Sequence, residues 1–136
     1  MSGLSDAGHT EEDPNTKTPL LILANCPIDG RPQGAPRLTG GMKINLDPTS
    51  LAYRIYRSTR IEETFMCNYE LNPEYRDKLE KTGLKVSGVS EDGGTRIVEL
   101  PDHRFFIATG FLPEMSSEEN RPSPLIVAFL KEGSII

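Results

Sequence analysis

FFIATGF, at residues 105–111, is a strongly apolar segment that is followed directly by Leu112, Pro113 and Glu114. A short apolar run of this kind predicts a buried central strand. Pro113 ends the strand, because proline has no N–H to donate to a sheet ladder. Glu114 is then presented at the carboxyl edge of the sheet, where α/β folds place functional groups. It is a candidate functional carboxylate, and the alternative is a surface glutamate in a loop.

Other apolar segments predict strands and helices around this one. Strands are expected at residues 20–24, 42–46, 61–71, 84–89 and 95–100. Ser50, Asn72 and Ser123 are good N-caps, and each precedes a segment with helical spacing. The residues Glu-Asp-Gly-Gly at 91–94 predict the turn of a β-hairpin. About six strands and three helices result, so the fold class is α/β or α+β with a mixed sheet and a β-hairpin.

The chain divides into a polar lead-in at residues 1–19 and one domain at residues 20–133. The lead-in carries few large apolar side chains, and disorder is expected there unless something covers it. Residues 28–41 contain four glycines and two prolines, which predicts a loop that leads into a strand. A length of 136 residues fits a single domain.

Charge and cysteine content exclude several classes of protein. The 15 Lys and Arg against 20 Asp and Glu give a net charge of -5, which disfavours nucleic-acid binding. No apolar stretch is long enough to span a membrane, and none has the flanks of a secretory signal. Two cysteines make neither a disulfide framework nor a four-ligand zinc site. We therefore expect a cytoplasmic protein with no metal and no cofactor.

Residue types that carry chemistry are few and scattered. The two histidines, His9 and His103, show no ligand spacing; His9 is interpreted as an exposed tail residue and His103 as closing a turn. Cys67 follows an apolar strand and is interpreted as a small buried thiol, and Cys26 as inert. The sequence contains neither a glycine-rich phosphate loop nor a G-x-S-x-G elbow.

Several ordered motifs nevertheless resemble one family. They are Asp6-Ala7-Gly8-His9-Thr10-Glu11-Glu12-Asp13-Pro14, Gly40-Gly41-Met42-Lys43, Ser50-Leu51-Ala52-Tyr53, Asn68-Tyr69-Glu70-Leu71-Asn72, Leu100-Pro101-Asp102-His103, Phe111-Leu112-Pro113-Glu114-Met115 and Asn120-Arg121-Pro122. Over residues 4–132 the chain resembles the C-terminal, class I glutamine amidotransferase domain of CTP synthase. It is most similar to the proteins described as related to that C-terminal region, in a form shortened at the N-terminus. The resemblance implies the C-terminal half of a flavodoxin-like amidotransferase fold.

The resemblance also implies a catalytic site that has lost parts. The family uses a Cys on an upstream G-x-C-x-G elbow, a His and a Glu to release ammonia from glutamine. The elbow is not among these residues, Leu112 stands at the His position, and Glu114 matches the triad carboxylate. Glu11 matches the carboxylate that contacts the glutamine amino group. A basic stretch that helps to hold the glutamine carboxylate is replaced by residues 64–68, which contain no cation.

Three functions remain open on this basis. The first is a catalytically degenerate pseudoenzyme that binds glutamine, or a less charged small molecule, for a binding or regulatory role. The second is part of an amidotransferase of pyrimidine nucleotide synthesis whose nucleophile lies upstream, with Cys67 as a reactive-thiol candidate. The third is a module that self-associates, because the strand at residues 105–111 would lie at a sheet edge without the upstream half. A homodimer or a separately encoded N-terminal half is the expected partner.

Overall fold

Two β-sheets frame the molecule in the computed structural model, which describes residues 3–24, 39–66 and 68–134. The elements in chain order are β1 (Ala7–His9), β2 (Thr18–Leu23), β3 (Thr39–Leu46), α1 (Leu51–Tyr56), β4 (Arg60–Met66), β5 (Tyr69–Leu71), α2 (Arg76–Glu80), β6 (Lys85–Ser90), β7 (Thr95–Glu99), β8 (Ile107–Thr109) and α3 (Pro124–Gly133). Short 3₁₀ turns span Pro73–Tyr75 and Pro113–Ser116.

The larger sheet has five strands in the order β4-β3-β6-β7-β8, and all four of its pairings are antiparallel. The smaller sheet has three strands in the order β1-β2-β5, with β1 parallel to β2 and β5 antiparallel to it. Parallel and antiparallel pairs therefore occur together, and helices pack beside them. The predicted mixed α/β class is confirmed.

Two of the three predicted N-caps, Ser50 and Asn72, form capping hydrogen bonds, whereas Ser123 precedes α3 without a side-chain cap. The Ser50 hydroxyl accepts the Tyr53 N–H at 2.9 Å, so α1 begins at its expected cap. Asn72 accepts the Glu74 N–H at 3.1 Å and donates from its amide to the Pro19 carbonyl at 2.9 Å. That second bond fixes the 3₁₀ turn before α2 against β2.

The hairpin between β6 and β7 turns at residues 91–94, as predicted. Gly93 has a φ of +85°, a conformation that costs other residues energy. The Gly93 N–H donates to the Ser90 carbonyl at 2.9 Å, and the Ser90 N–H to the Gly94 carbonyl at 3.0 Å. This turn places Asp92 in contact with Arg96, near the start of β7.

The hydrophobic core lies between the larger sheet and the helices α1 and α3. Ile44 and Ile97 are fully buried, and Phe111 and Leu125 pack against them. Gly88 allows β6 to approach this core closely, since a Cβ there would lie 2.7 Å from Cγ1 of Ile97. No helix in the described ranges is both long enough and apolar enough to cross a bilayer.

The prediction of a central strand over residues 105–111 is wrong in extent and position. Only residues 107–109 pair, with β7 alone, and β8 is an edge strand of the sheet as described. Phe105 and Phe106 belong to the preceding turn, where His103 Nδ1 lies 3.0 Å from the Phe105 carbonyl oxygen, which confirms that His103 closes a turn. Phe111 leaves the ladder to enter the core. The edge position agrees with the expectation drawn from the resemblance.

The first residues carry structure that the sequence did not predict. β1 lies within the polar lead-in and pairs with β2, so the residues on either side of position 19 share one sheet. The turn that allows this pairing is closed by Asp13, whose carboxylate accepts the Asn15 N–H at 2.9 Å. The predicted loop at residues 28–41 and Cys26 lie outside the described residues, except that 39–41 begin β3.

Candidate functional site

A cavity of about 280 Å³ opens between the smaller sheet and the chain that follows β8. Its described lining consists of His9, Glu11, Met66, Asn68, Tyr69 and residues 109–112. This cavity therefore brings together Glu11, Leu112 at the family's histidine position, and two residues of the stretch that lacks cations, Met66 and Asn68. We call this space the first cavity.

Glu11 is an exposed residue at the rim of the first cavity. A tight turn after β1 holds it there: the Glu11 N–H donates to His9 Nδ1 at 3.1 Å, and the His9 carbonyl accepts the N–H groups of Glu12 and Asp13 at 3.0 Å each. Thr10 ties the same turn to β2 through the Leu21 carbonyl. Hydrogen bonds therefore fix the backbone at Glu11, and its side chain is exposed at the rim of the first cavity.

Leu112 is half-buried and lines the first cavity from the opposite side. Its N–H donates to the Thr64 carbonyl at 3.2 Å, which joins the end of β8 to β4. Phe111 is buried in the core immediately before it, and the Thr109 hydroxyl donates to the Phe111 carbonyl at 2.9 Å. An apolar side chain is therefore held firmly at this wall.

Glu114 lies apart from these residues. It is exposed on the 3₁₀ turn Pro113–Ser116 and does not line the first cavity. Its backbone carbonyl accepts the Ser117 N–H, and its carboxylate has no hydrogen bond or ion pair within the described part of the chain. The structure therefore brings Glu11 and Leu112 together but leaves Glu114 outside their cavity.

Met66 and Asn68 line the first cavity from the junction of β4 and β5. Cys67, the thiol candidate between them in sequence, lies outside the described residues, so its reactivity stays a prediction. None of the described residues that line this cavity is a lysine or an arginine. A ligand carboxylate would therefore find no cation among them.

His9 is a site residue that sequence reasoning missed. It was interpreted as an exposed tail residue, but it is half-buried and its ring packs on that of Tyr69 with 4.6 Å between centroids. In β1 it is paired with Leu21 of β2. No motif spacing marks a lone histidine, so only the pairing of β1 with β2 could have located it.

A second cavity of about 290 Å³ adjoins the first. At its wall the guanidinium of Arg96 contacts the Glu70 carboxylate at 2.9 Å, and both side chains are less than a tenth exposed. Arg96 Nε also donates to the Ser90 hydroxyl at 2.8 Å.

Asp92 contacts the same guanidinium nitrogen of Arg96 as Glu70 does, at 3.5 Å. Partial burial raises the pKa of Asp92, but hydrogen bonds from Ser90 and Gly94 and the charge of Arg96 outweigh it, so the pKa lies below its ordinary value. Arg96 therefore pairs with two carboxylates beside the second cavity.

A metal centre is not evident in the described ranges, where no group of three or more His, Cys, Asp or Glu side chains is placed to hold an ion. The first cavity is lined by a carboxylate, an imidazole and the Tyr69 ring, together with apolar and neutral residues.

Known proteins with similar sequences include CTP synthases. The chain is 40% identical over 129 residues to the CTP synthase of Saccharolobus solfataricus, covering 95% of this chain and 24% of that protein. It is 42% identical over 132 residues to that of Sulfolobus acidocaldarius, covering 97% and 25%. It spans about a quarter of the length of the curated relatives that it matches. No family model matches the chain.

A solved CTP synthase structure has a similar fold. The Trypanosoma brucei CTPS glutaminase domain with bound acivicin superposes with a TM-score of 0.86 and 28% sequence identity, covering 97% of this chain and 52% of that one. The resemblance that the motifs indicated is confirmed. The chain is therefore a homologue of CTP synthase and has the fold of its class I glutamine amidotransferase, or glutaminase, domain.

Proposed function

We propose that the first cavity binds a small molecule carrying a primary ammonium group, and that the chain does not hydrolyse glutamine by the ordinary triad. This is a binding or regulatory role on an amidotransferase scaffold. The observation that supports it is Leu112, which lines the cavity where the resemblance places the histidine. A leucine side chain can neither accept nor donate a proton, so general base catalysis has no carrier at that position.

His9 does not replace the missing base in this arrangement. Its Nδ1 accepts the Glu11 N–H, so in the neutral ring the proton is on Nε2. That nitrogen therefore donates a hydrogen bond and does not accept one. Glu114 has no imidazole to orient at position 112 and does not line the cavity.

The charges around the cavity select the ligand. The Glu11 carboxylate attracts an ammonium group, whereas a carboxylate on the ligand would lose water without gaining a cationic partner among the described lining residues. We therefore expect L-glutaminamide, whose carboxyl group is neutral, to bind more tightly than L-glutamine. The ligand of the site is then less charged than glutamine.

Replacing the charge of Glu11 tests this proposal. Glu11→Gln keeps the size of the side chain and removes its charge, and a charged hydrogen bond contributes about 1.5–3 kcal/mol. Because Glu11 is exposed, we expect the lower end, a loss of about tenfold in affinity for L-glutaminamide by calorimetry. Glu12→Gln is the matched control, since Glu12 is exposed and does not line the cavity. Equal effects of the two substitutions would contradict the proposal, as would ammonia release from L-glutamine by the purified chain.

Association through β8 is a second candidate function. β8 is an edge strand of the described sheet, and Phe106 beside it is 41% exposed. Phe129 and Leu130 on α3 are 60% and 61% exposed. An unpaired strand with apolar neighbours favours pairing with a second copy or with a separate polypeptide. Light scattering at micromolar concentration should give a mass of at least two chains; a monomer would argue against self-association.

A further inference from the structure

We propose that the first and second cavities are two lobes of one site, and that its ligand is a primary amine with an apolar tail. The amine occupies the first cavity beside Glu11, and the tail enters the second. This inference rests on the proposed function, because it extends the same site.

The two cavities share a boundary. Four residues line both of them: His9, Tyr69, Thr109 and Gly110. We call this boundary the waist; it contains the His9 and Tyr69 rings, whose centroids are 4.6 Å apart and whose planes are tilted by 56°, and the residues at the end of β8. Gly110 has no side chain to narrow it.

Size supports a joint site. The cavities measure about 280 and 290 Å³, and each lies just below the range of about 300–1,000 Å³ that is usual for pockets that enclose a small ligand. Taken together they fall well within that range. A molecule that fills the site must therefore extend through the waist.

The second lobe is suited to an apolar group. Six of its lining residues are aliphatic: Leu21, Leu71, Leu79, Ile97, Val98 and Ala108. Its charged lining residues, Arg96 and Glu70, contact each other at 2.9 Å. Since these two charges compensate each other, the lobe offers no net charge to a ligand, and transfer of an apolar tail from water is the favourable interaction left.

Two ligands with the same polar group test the contribution of the second lobe. L-Alaninamide and L-phenylalaninamide both carry an ammonium and a neutral carboxamide, and they differ only in the side chain. Burying a phenyl ring contributes enough free energy for about a ten- to hundredfold gain in affinity. We expect L-phenylalaninamide to bind more tightly than L-alaninamide by that factor in calorimetric titrations.

Filling the second lobe should abolish this gain. Ala108→Leu adds bulk to a residue that lines only the second lobe, so the advantage of L-phenylalaninamide should fall about tenfold while L-alaninamide binding is unchanged. Ala7→Leu is the matched control, because Ala7 is also an exposed alanine in a three-residue strand and lines neither cavity.

The outcomes distinguish this inference from the proposed function. If L-alaninamide binds and depends on Glu11, but L-phenylalaninamide gains nothing or Ala108→Leu leaves the ratio unchanged, the two-lobe site is refuted and the first cavity stands. If neither amide binds, both proposals are refuted. If Ala108→Leu lowers the mass in solution and leaves amide binding unchanged, the second lobe holds another copy of the chain and the inference is also refuted.

Discussion

A chain in which Arg96 is replaced by methionine is expected to lose about 3–5 kcal/mol of its free energy of unfolding, as is usual when one partner of a buried ion pair is removed. The guanidinium is 6% exposed and contacts Glu70, whose side chain is 7% exposed, at 2.9 Å. Methionine fills much of the volume but removes the Arg96 charge from beside the buried Glu70 carboxylate. The loss therefore reflects the lost charge interaction more than lost packing. Urea denaturation of the variant measures it.

Two further variants show that the charge is the cause. The double variant Arg96→Met, Glu70→Gln removes both charges and should recover a large part of the loss. Arg104→Met is the matched control, because Arg104 is 67% exposed and its contact with Glu132 is 3.4 Å long. Exposed pairs contribute about 0–1 kcal/mol, so this change should be small. Similar losses of unfolding free energy at positions 96 and 104 would show that burial does not increase the contribution of the Arg96–Glu70 pair to stability.

The pH dependence of stability tests the interaction between Arg96 and Asp92 independently. The pKa of Asp92 is lowered in the folded chain, with the charge of Arg96 among the causes. A lowered pKa contributes stability above the unfolded pKa, and this contribution is lost as the pH falls through the folded pKa. Without Arg96 the pKa of Asp92 rises toward its ordinary value. The acid-side loss of stability should therefore be shallower in Arg96→Met than in the parent chain.

The sequence predicted best those features that neighbouring residues determine. Ser50 and Asn72 cap their helices with their own side chains, and Gly93 supplies the positive φ of the hairpin. These interactions span two to four residues, so the local pattern contains them in full. The strand at residues 105–111 was mispredicted, because the number of its residues that pair depends on β7 and on the entry of Phe111 into the core. Apolar character alone does not contain that information.

The candidate site was predicted in part, by the family motifs. Glu11 and Leu112 are 101 positions apart, and no periodicity relates them, yet the motif resemblance assigned both to one site and the structure places both in one cavity. Glu114 was assigned with them but lies on the exposed 3₁₀ turn. His9 was missed, since its position at the waist follows from the pairing of β1 with β2. Long-range strand pairing is thus the physical information that the sequence pattern lacked.

Introducing a cation into the first cavity should shift its preference from L-glutaminamide toward L-glutamine. Asn68→Arg introduces a guanidinium at a residue that lines the cavity, in the stretch where the resemblance indicates cations. Arginine binds a carboxylate with two parallel hydrogen bonds, and such charged bonds contribute about 1.5–3 kcal/mol. The affinity for L-glutamine relative to L-glutaminamide should therefore rise by about ten- to a hundredfold. The Asn68 carbonyl that accepts the Ala24 N–H at 2.7 Å belongs to the backbone, so the substitution leaves that bond in place.

Asn120→Arg tests whether this shift in preference depends on the position of the added cation. Asn120 is exposed in the turn closed by Glu118 and Arg121, lines neither cavity, and gives the same change in net charge. Attraction of an anion by the net charge of the chain is screened over about 10 Å at 0.1 M salt, so this control should leave the ratio of the two affinities unchanged. If both variants shift the ratio equally, the effect is one of net charge. If Asn68→Arg leaves it unchanged, the absence of cations from residues 64–68 does not determine which ligand the cavity accepts.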